Sequence, residues 1–116
     1  MRHRKSKITL SRTPAERKAL ARKMAISFLK EGKLKTTSTR AKFLRRFVEP
    51  LITKAKPQDL NARRYVIKNL GNADVVSLVF EKAKKYENRA GGYTRVTKLT
   101  NKRAGDNASL VQIEFV

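Results

Sequence analysis

One histidine, nine carboxylates, twenty-nine Lys and Arg and no cysteine are what this chain has to do chemistry with. The histidine, His3, lies between Arg2 and Arg4. Nearby cations disfavour its protonation, and no carboxylate is placed to orient it as a general base. The acids fit ordinary structural jobs: Glu16 and Asp59 at helix starts, Asp74 in a first turn, Glu114 in a strand. No two have the spacing of a working carboxylate pair, and no His/Cys/Asp cluster has metal-ligand spacing. Arg89-Ala-Gly-Gly-Tyr93 is rich in glycine, yet it is neither a dinucleotide fingerprint nor a phosphate-binding loop opening a helix. The sequence therefore reads as no enzyme, with no metal, cofactor or small-molecule substrate.

The cations remain, and their chemistry is phosphate binding. Against 9 Asp+Glu they give a net charge of +20 and a pI of about 11.1. A folded body with that charge repels itself unless a polyanion surrounds it, and nucleic acid is the usual one. A basic membrane-surface protein is the weaker alternative, and no apolar run reaches the roughly 20 residues of a membrane span. The N-terminus lacks the apolar stretch of a signal peptide. The absence of cysteine leaves no disulfide and no thiolate zinc site and is compatible with the cytoplasm. Lys+Arg outnumber Asp+Glu by 10 to 1 over residues 1–30, 8 to 3 over 31–60, 7 to 3 over 61–90 and 4 to 2 over 91–116. A broad contact surface is expected, densest at the start.

The densest part is an arm, residues 1–12, carrying Arg2, His3, Arg4, Lys5, Lys7 and Arg12 and no acid. Such an arm orders on its polyanion and bears an entropic cost at binding. Arg17, Lys18, Arg22 and Lys23 extend the track along the first helix. Lys42, Arg45 and Arg46, then Arg63 and Arg64, then Arg89, Tyr93, Arg95, Lys102 and Arg103 complete the candidate set. Tyr93 has two readings. Beside Gly91-Gly92 and Arg95 it can stack on an unpaired base, or it seals the core where the glycines merely bend the chain into a strand. Phe43, off the main stripe of its helix, either extends the core or meets a partner protein.

The elements that must position these residues are legible from periodicity. At 116 residues one domain is expected, with the arm at 1–12 and a body at 13–116. Thr13-Pro14-Ala15-Glu16 reads as a cap, a first-position proline and a capping box. It starts a helix running to about Glu31, with Leu20, Ala21, Met24, Ala25, Phe28 and Leu29 on its apolar side and Gly32 as its stop. Lys33–Thr37 reads as a brief strand. A second helix, capped by Thr37 or Ser38, carries Ala41, Leu44, Phe47, Val48, Leu51, Ile52 and Ala55. Pro50 interrupts its bond to the Arg46 carbonyl and should kink it, and Pro57 ends it. Asp59 caps a third helix with Leu60, Ala62, Val66, Ile67 and Leu70, and Gly71 stops it. Asn72 caps a fourth with Val75, Val76, Val79, Phe80 and Ala83. Residues 93–99 and 110–116 read as strands joined by a long loop over 100–108, and Val111, Ile113 and Phe115 form one face of the last. The fold class is a two-layer α+β body of helix, strand, three helices and two strands, with a small mixed sheet packed on helices and a basic N-terminal arm.

Four segments in order resemble one known family. Met1-Arg-His-Arg-Lys5, Arg17-Lys-Ala-Leu20, Leu34-Lys-Thr-Thr-Ser-Thr-Arg-Ala-Lys42 followed by Val48-Glu-Pro-Leu-Ile-Thr53, and Gly91-Gly-Tyr-Thr-Arg95 are similar to the bacterial large-subunit ribosomal protein L17 family, end to end. The resemblance implies a structural protein that binds large-subunit ribosomal RNA on the outer side of the subunit, near the exit of the nascent-peptide tunnel. It implies other tunnel-exit ribosomal proteins as neighbours, and the chain is expected to be monomeric within the ribosome. The last strand runs to Val116, so no C-terminal extension is expected. A free DNA-architectural protein is the other class the charge allows, but no groove-reading helix pair or intercalating wedge is evident.

Overall fold

Thr13 sits in extended backbone, its hydroxyl accepting from the Glu16 N–H at 3.3 Å, and Pro14 takes the first helical position. In this computed structural model, which describes residues 8–116, that start launches α1 (Pro14–Glu31). Among the described residues the reciprocal bond from the Glu16 side chain to the cap is not made, so half of the expected capping box forms. Gly32 ends the helix at φ 80°, a left-handed geometry that brings its N–H to the Phe28 carbonyl.

β1 (Lys33–Thr37) follows directly, and α2 (Ser38–Ala55) begins at Thr37, which caps without a side-chain bond. α2 continues through Pro50 to Ala55. Pro50 is exposed, so its missing N–H faces away from the core. α3 (Leu60–Leu70) starts at Asp59, whose carboxylate accepts from the Ala62 N–H at 2.8 Å, and stops at Gly71 with φ 65°. Ala62, Val66 and Leu70 are its buried line. Two expected core residues lie off that line: Leu60 is 60% exposed and Ile67 41%. At about 100° per residue, Ile67 is turned well away from Val66, and the other helices cover the narrower stripe. Asn72 caps as expected, but it accepts from the Asp74 N–H only two residues on. The tighter turn gives a 3-10 segment (Ala73–Val75) before α4 (Val76–Lys85).

The sheet completes the body. β2 (Thr94–Lys102) and β1 both pair with β3 (Ser109–Phe115), giving the order β1-β3-β2. Every pairing is antiparallel, where a mixed sheet was expected. β2 also runs three residues past its expected end, because Lys102 pairs with Ser109 beyond a register shift that contains Thr100 and Asn101. Those polar residues are exposed, so they suit a strand with no apolar partner above it. The loop shrinks to residues 103–108. Val111 and Ile113 are buried, and Phe115 stacks on Phe28 of α1 with centroids 4.3 Å apart and planes 11° apart. That stack joins the two layers. Leu44, Val48, Leu51 and Ile52 of α2 lie at the centre of the core.

Candidate nucleic-acid interface

Arg2, His3, Arg4, Lys5 and Lys7 lie outside the described residues. From Ile8 onward the arm can be followed onto the body. Arg12 is exposed, and its carbonyl accepts from the Arg17 guanidinium at 2.5 Å. Ile8, Arg17, Phe43, Arg46 and Phe47 line one shallow cavity of about 270 Å³. There the end of the arm meets the start of α1 and the middle of α2. Phe43 thus neither enters the core nor stands alone: it floors the place where the arm comes down.

Arg46 also lines a second, larger cleft of about 730 Å³, together with Lys42, Arg45, Glu49, Pro50, Thr53, Lys54, Gly91 and Tyr93. Seven of those nine residues come from one face of α2, because positions 42, 45, 46, 49, 50, 53 and 54 recur every three or four residues. The glycine bend closes the cleft from the other side. Its single acid, Glu49, is already engaged. Its carboxylate accepts from the Arg45 guanidinium at 3.3 Å, from the Thr94 N–H at 3.2 Å and from the Thr94 hydroxyl at 2.9 Å. Glu49 therefore fastens the start of β2 to α2.

Tyr93 resolves to the second of its two readings. Its ring is fully buried, so it cannot stack on a base. Its hydroxyl lies 3.1 Å from that of Thr53, and Lys56 sits 4.9 Å from the ring centroid while donating to the Arg89 carbonyl. Burial works against ionising this phenol. Hydrogen bonding by Lys56 and Thr53, with the Lys56 charge, outweighs it and lowers the pKa below the ordinary tyrosine value. The Arg89 guanidinium folds back onto the Gly91 and Gly92 carbonyls at 3.2 Å, and Gly92 at φ 63° makes the turn.

Arg22 is the other predicted residue with a different task. It is half-buried, and its guanidinium donates to the Asn69 carbonyl at 2.9 Å and the Lys68 carbonyl at 3.0 Å. These carbonyls end α3 and have no helical donor of their own, so a cation from α1 satisfies them. Arg103 forms an ion pair with Asp106 at the β2–β3 tip, holding that carboxyl down to about 2. Lys82, absent from the candidate set, lies 4.5 Å from the Phe115 ring centroid, and partial burial and Lys85 lower its pKa.

The remaining candidates are open to solvent. Lys18, Lys23, Lys42, Arg63, Arg64, Arg95 and Lys102 are exposed and, among the described residues, have no acidic partner within ion-pair distance. The structure gathers Arg12, Arg17, Arg46, Arg45 and Lys42 into one track over α1 and α2. Arg63 belongs elsewhere, to a cleft of about 600 Å³ shared with Leu60, Phe80 and Lys84. Lys54 and Pro50, outside the sequence-predicted set, line the same cleft, and the spacing Lys42, Arg46, Pro50, Lys54 puts them on one line of α2.

A small, strongly basic α+β body with cations displayed on most of its elements is the surface expected of a structural protein that sits against a polyanion. The sequence model described as ribosomal protein L17 matches residues 20–116. The chain is 48% identical over 116 residues to large ribosomal subunit protein bL17 of Lawsonia intracellularis, covering 99% of this chain and 92% of the relative. It is 46% identical over 117 residues to the protein of the same name from Thermus thermophilus, covering 100% and 99%. It is 49% identical over 116 residues to that of Nitratidesulfovibrio vulgaris strain Miyazaki F, covering 99% and 87%. The chain belongs to the ribosomal protein L17 family, a structural and non-enzymatic component of the ribosome.

Proposed function

We propose that this chain is built into the large ribosomal subunit in the cytoplasm and binds ribosomal RNA through the arm and the exposed faces of α1 and α2. The observation that carries this is the distribution of charge. Twenty-nine cations face nine acids, and three of those acids are engaged within the body: Asp59 caps α3, Glu49 holds Thr94 and Asp106 pairs with Arg103 at the hairpin tip. Family membership supports a position on the outer side of the subunit near the tunnel exit, among other ribosomal proteins there. Recognition is by phosphate and shape, since cations at helical spacing follow a backbone and read few base edges.

The test is affinity for a large-subunit RNA fragment as a function of salt. Several neutralised phosphates give a log–log slope of about 0.7–0.9 per contact, so a slope several times that is expected. A flat response contradicts the phosphate track. Sedimentation gives an independent check: the protein should travel with large subunits at moderate salt, and recovery chiefly with chromosomal DNA overturns the assignment.

A further inference from the structure

The cleft on the outer face of α2 combines an apolar floor with cations at both ends. Pro50 presents an exposed ring, Gly91 presents no side chain, and the buried Tyr93 edge backs them. Lys42 and Lys54 stand at its two ends, twelve residues or roughly 18 Å apart along the helix. The only acid present, Glu49, is held by Arg45 and Thr94 and is therefore not available to repel an anion freely. A duplex backbone needs cations and no apolar floor. An extruded nucleotide needs both, a flat surface for its base and cations for the phosphates on either side.

We infer that this cleft receives an unpaired nucleotide of the bound RNA, its base lying over Pro50 and Gly91, with Lys42 and Lys54 holding phosphates of the strand where it enters and leaves the cleft. The inference rests on the RNA-binding reading above and adds a specific site to it. It also gives the glycine a reason. Gly91 has no left-handed backbone requirement, and a Cβ there would meet nothing within 4 Å. The fold tolerates a side chain at this position, whereas an occupant of the cleft does not.

The experiment uses the full chain and two RNA hairpins, one fully paired and one carrying a single bulged 2-aminopurine. The wild type should bind the bulged hairpin about tenfold more tightly, the scale of one accommodated base, with a change in 2-aminopurine fluorescence on binding. Gly91→Leu should reduce the preference to about twofold or less by filling the floor, while leaving affinity for the paired hairpin unchanged. Lys42→Gln and Lys54→Gln, both at exposed positions, should each reduce it partially. If Gly91→Leu fails to fold by circular dichroism, the two lysine variants decide the matter. Equal affinity of the wild type for both hairpins, or a preference that survives these substitutions, overturns the inference but leaves RNA binding intact. No binding to either hairpin removes both.

Discussion

Replacing Arg22 separates a structural cation from a phosphate-binding one. Sequence pattern places Arg22 beside Lys23 on the cationic side of α1, yet the two have different surroundings. Lys23 is exposed, while Arg22 donates to the last carbonyls of α3 at 2.9 and 3.0 Å. Arg22→Met keeps the aliphatic stem and removes the donors and the charge. A bond from a charged donor is worth about 1.5–3 kcal/mol, and a cation at a helix C-terminus about 0.3–1. One of the two bonds is exposed and counts for less, so the loss should be about 2–3 kcal/mol. An unfolding entropy of roughly 2.1 cal/mol/K per residue over this chain makes 1 kcal/mol worth about 4 °C, so Tm should fall by about 8–12 °C. Lys23→Met should move Tm by no more than about 2 °C. The salt slope for RNA binding should do the reverse, unchanged in Arg22→Met and lowered by about 0.7–0.9 in Lys23→Met. An Arg22→Met protein that melts with the wild type and loses salt slope would refute the reasoning, because Arg22 would then be a phosphate contact.

Other substitutions probe the same division of labour. Tyr93→Phe removes the hydroxyl bonded to Thr53 and should cost about 1 kcal/mol in a denaturation curve while changing RNA affinity less than twofold; a tenfold loss would mean the ring reaches the ligand. Asp59→Ala, which deletes a 2.8 Å cap bond, should destabilise by about 1 kcal/mol in urea, and Thr13→Ala, with its longer and exposed bond, by about half that. The Asp106 carboxyl should titrate by NMR with a midpoint of about 2, returning toward 3.8 in Arg103→Gln. Since its pKa is depressed on folding, its support of the hairpin tip is present above the ordinary carboxylate value and fades as pH falls toward about 2. Deleting residues 1–12 should weaken RNA association sharply and leave the circular-dichroism melt of the body nearly unchanged, whereas a large fall in Tm would make the arm part of the fold.

The elements were legible because each is punctuated by a residue with a local physical reason. Thr13, Gly32, Asp59 and Gly71 stop or start helices through bonds spanning three or four residues, and a linear sequence displays such bonds directly. The apolar stripes of α1 and α2 were equally plain, being periodic over eighteen residues each. What stayed hidden depends on contacts between distant segments. Leu60 and Ile67 looked like core residues because only tertiary packing decides how wide a helix stripe is covered. β2 outran its apolar pattern because its last residues are held by β3 and not by burial.

The same distinction governs the cations, and it changes how a charge of +20 should be read. Lys23 and Arg22 are adjacent and chemically alike, so composition counts both toward RNA. The second is committed to α3, forty-six and forty-seven residues away. Arg89 bends the glycine turn, Arg103 holds the hairpin tip, Lys56 ties the Tyr93 region to the Arg89 backbone, and Lys82 covers Phe115. In this chain some cations serve structural jobs that need a donor or a positive charge, namely capping helix carbonyls and covering aromatic faces. In a mutational scan, charge removal at Arg22 or Lys56 should lower RNA binding only by unfolding the body, and show in the melt. At Lys18, Lys23 or Lys42 it should lower binding with the melt unchanged, so stability and salt slope measured together sort the two kinds of cation residue by residue.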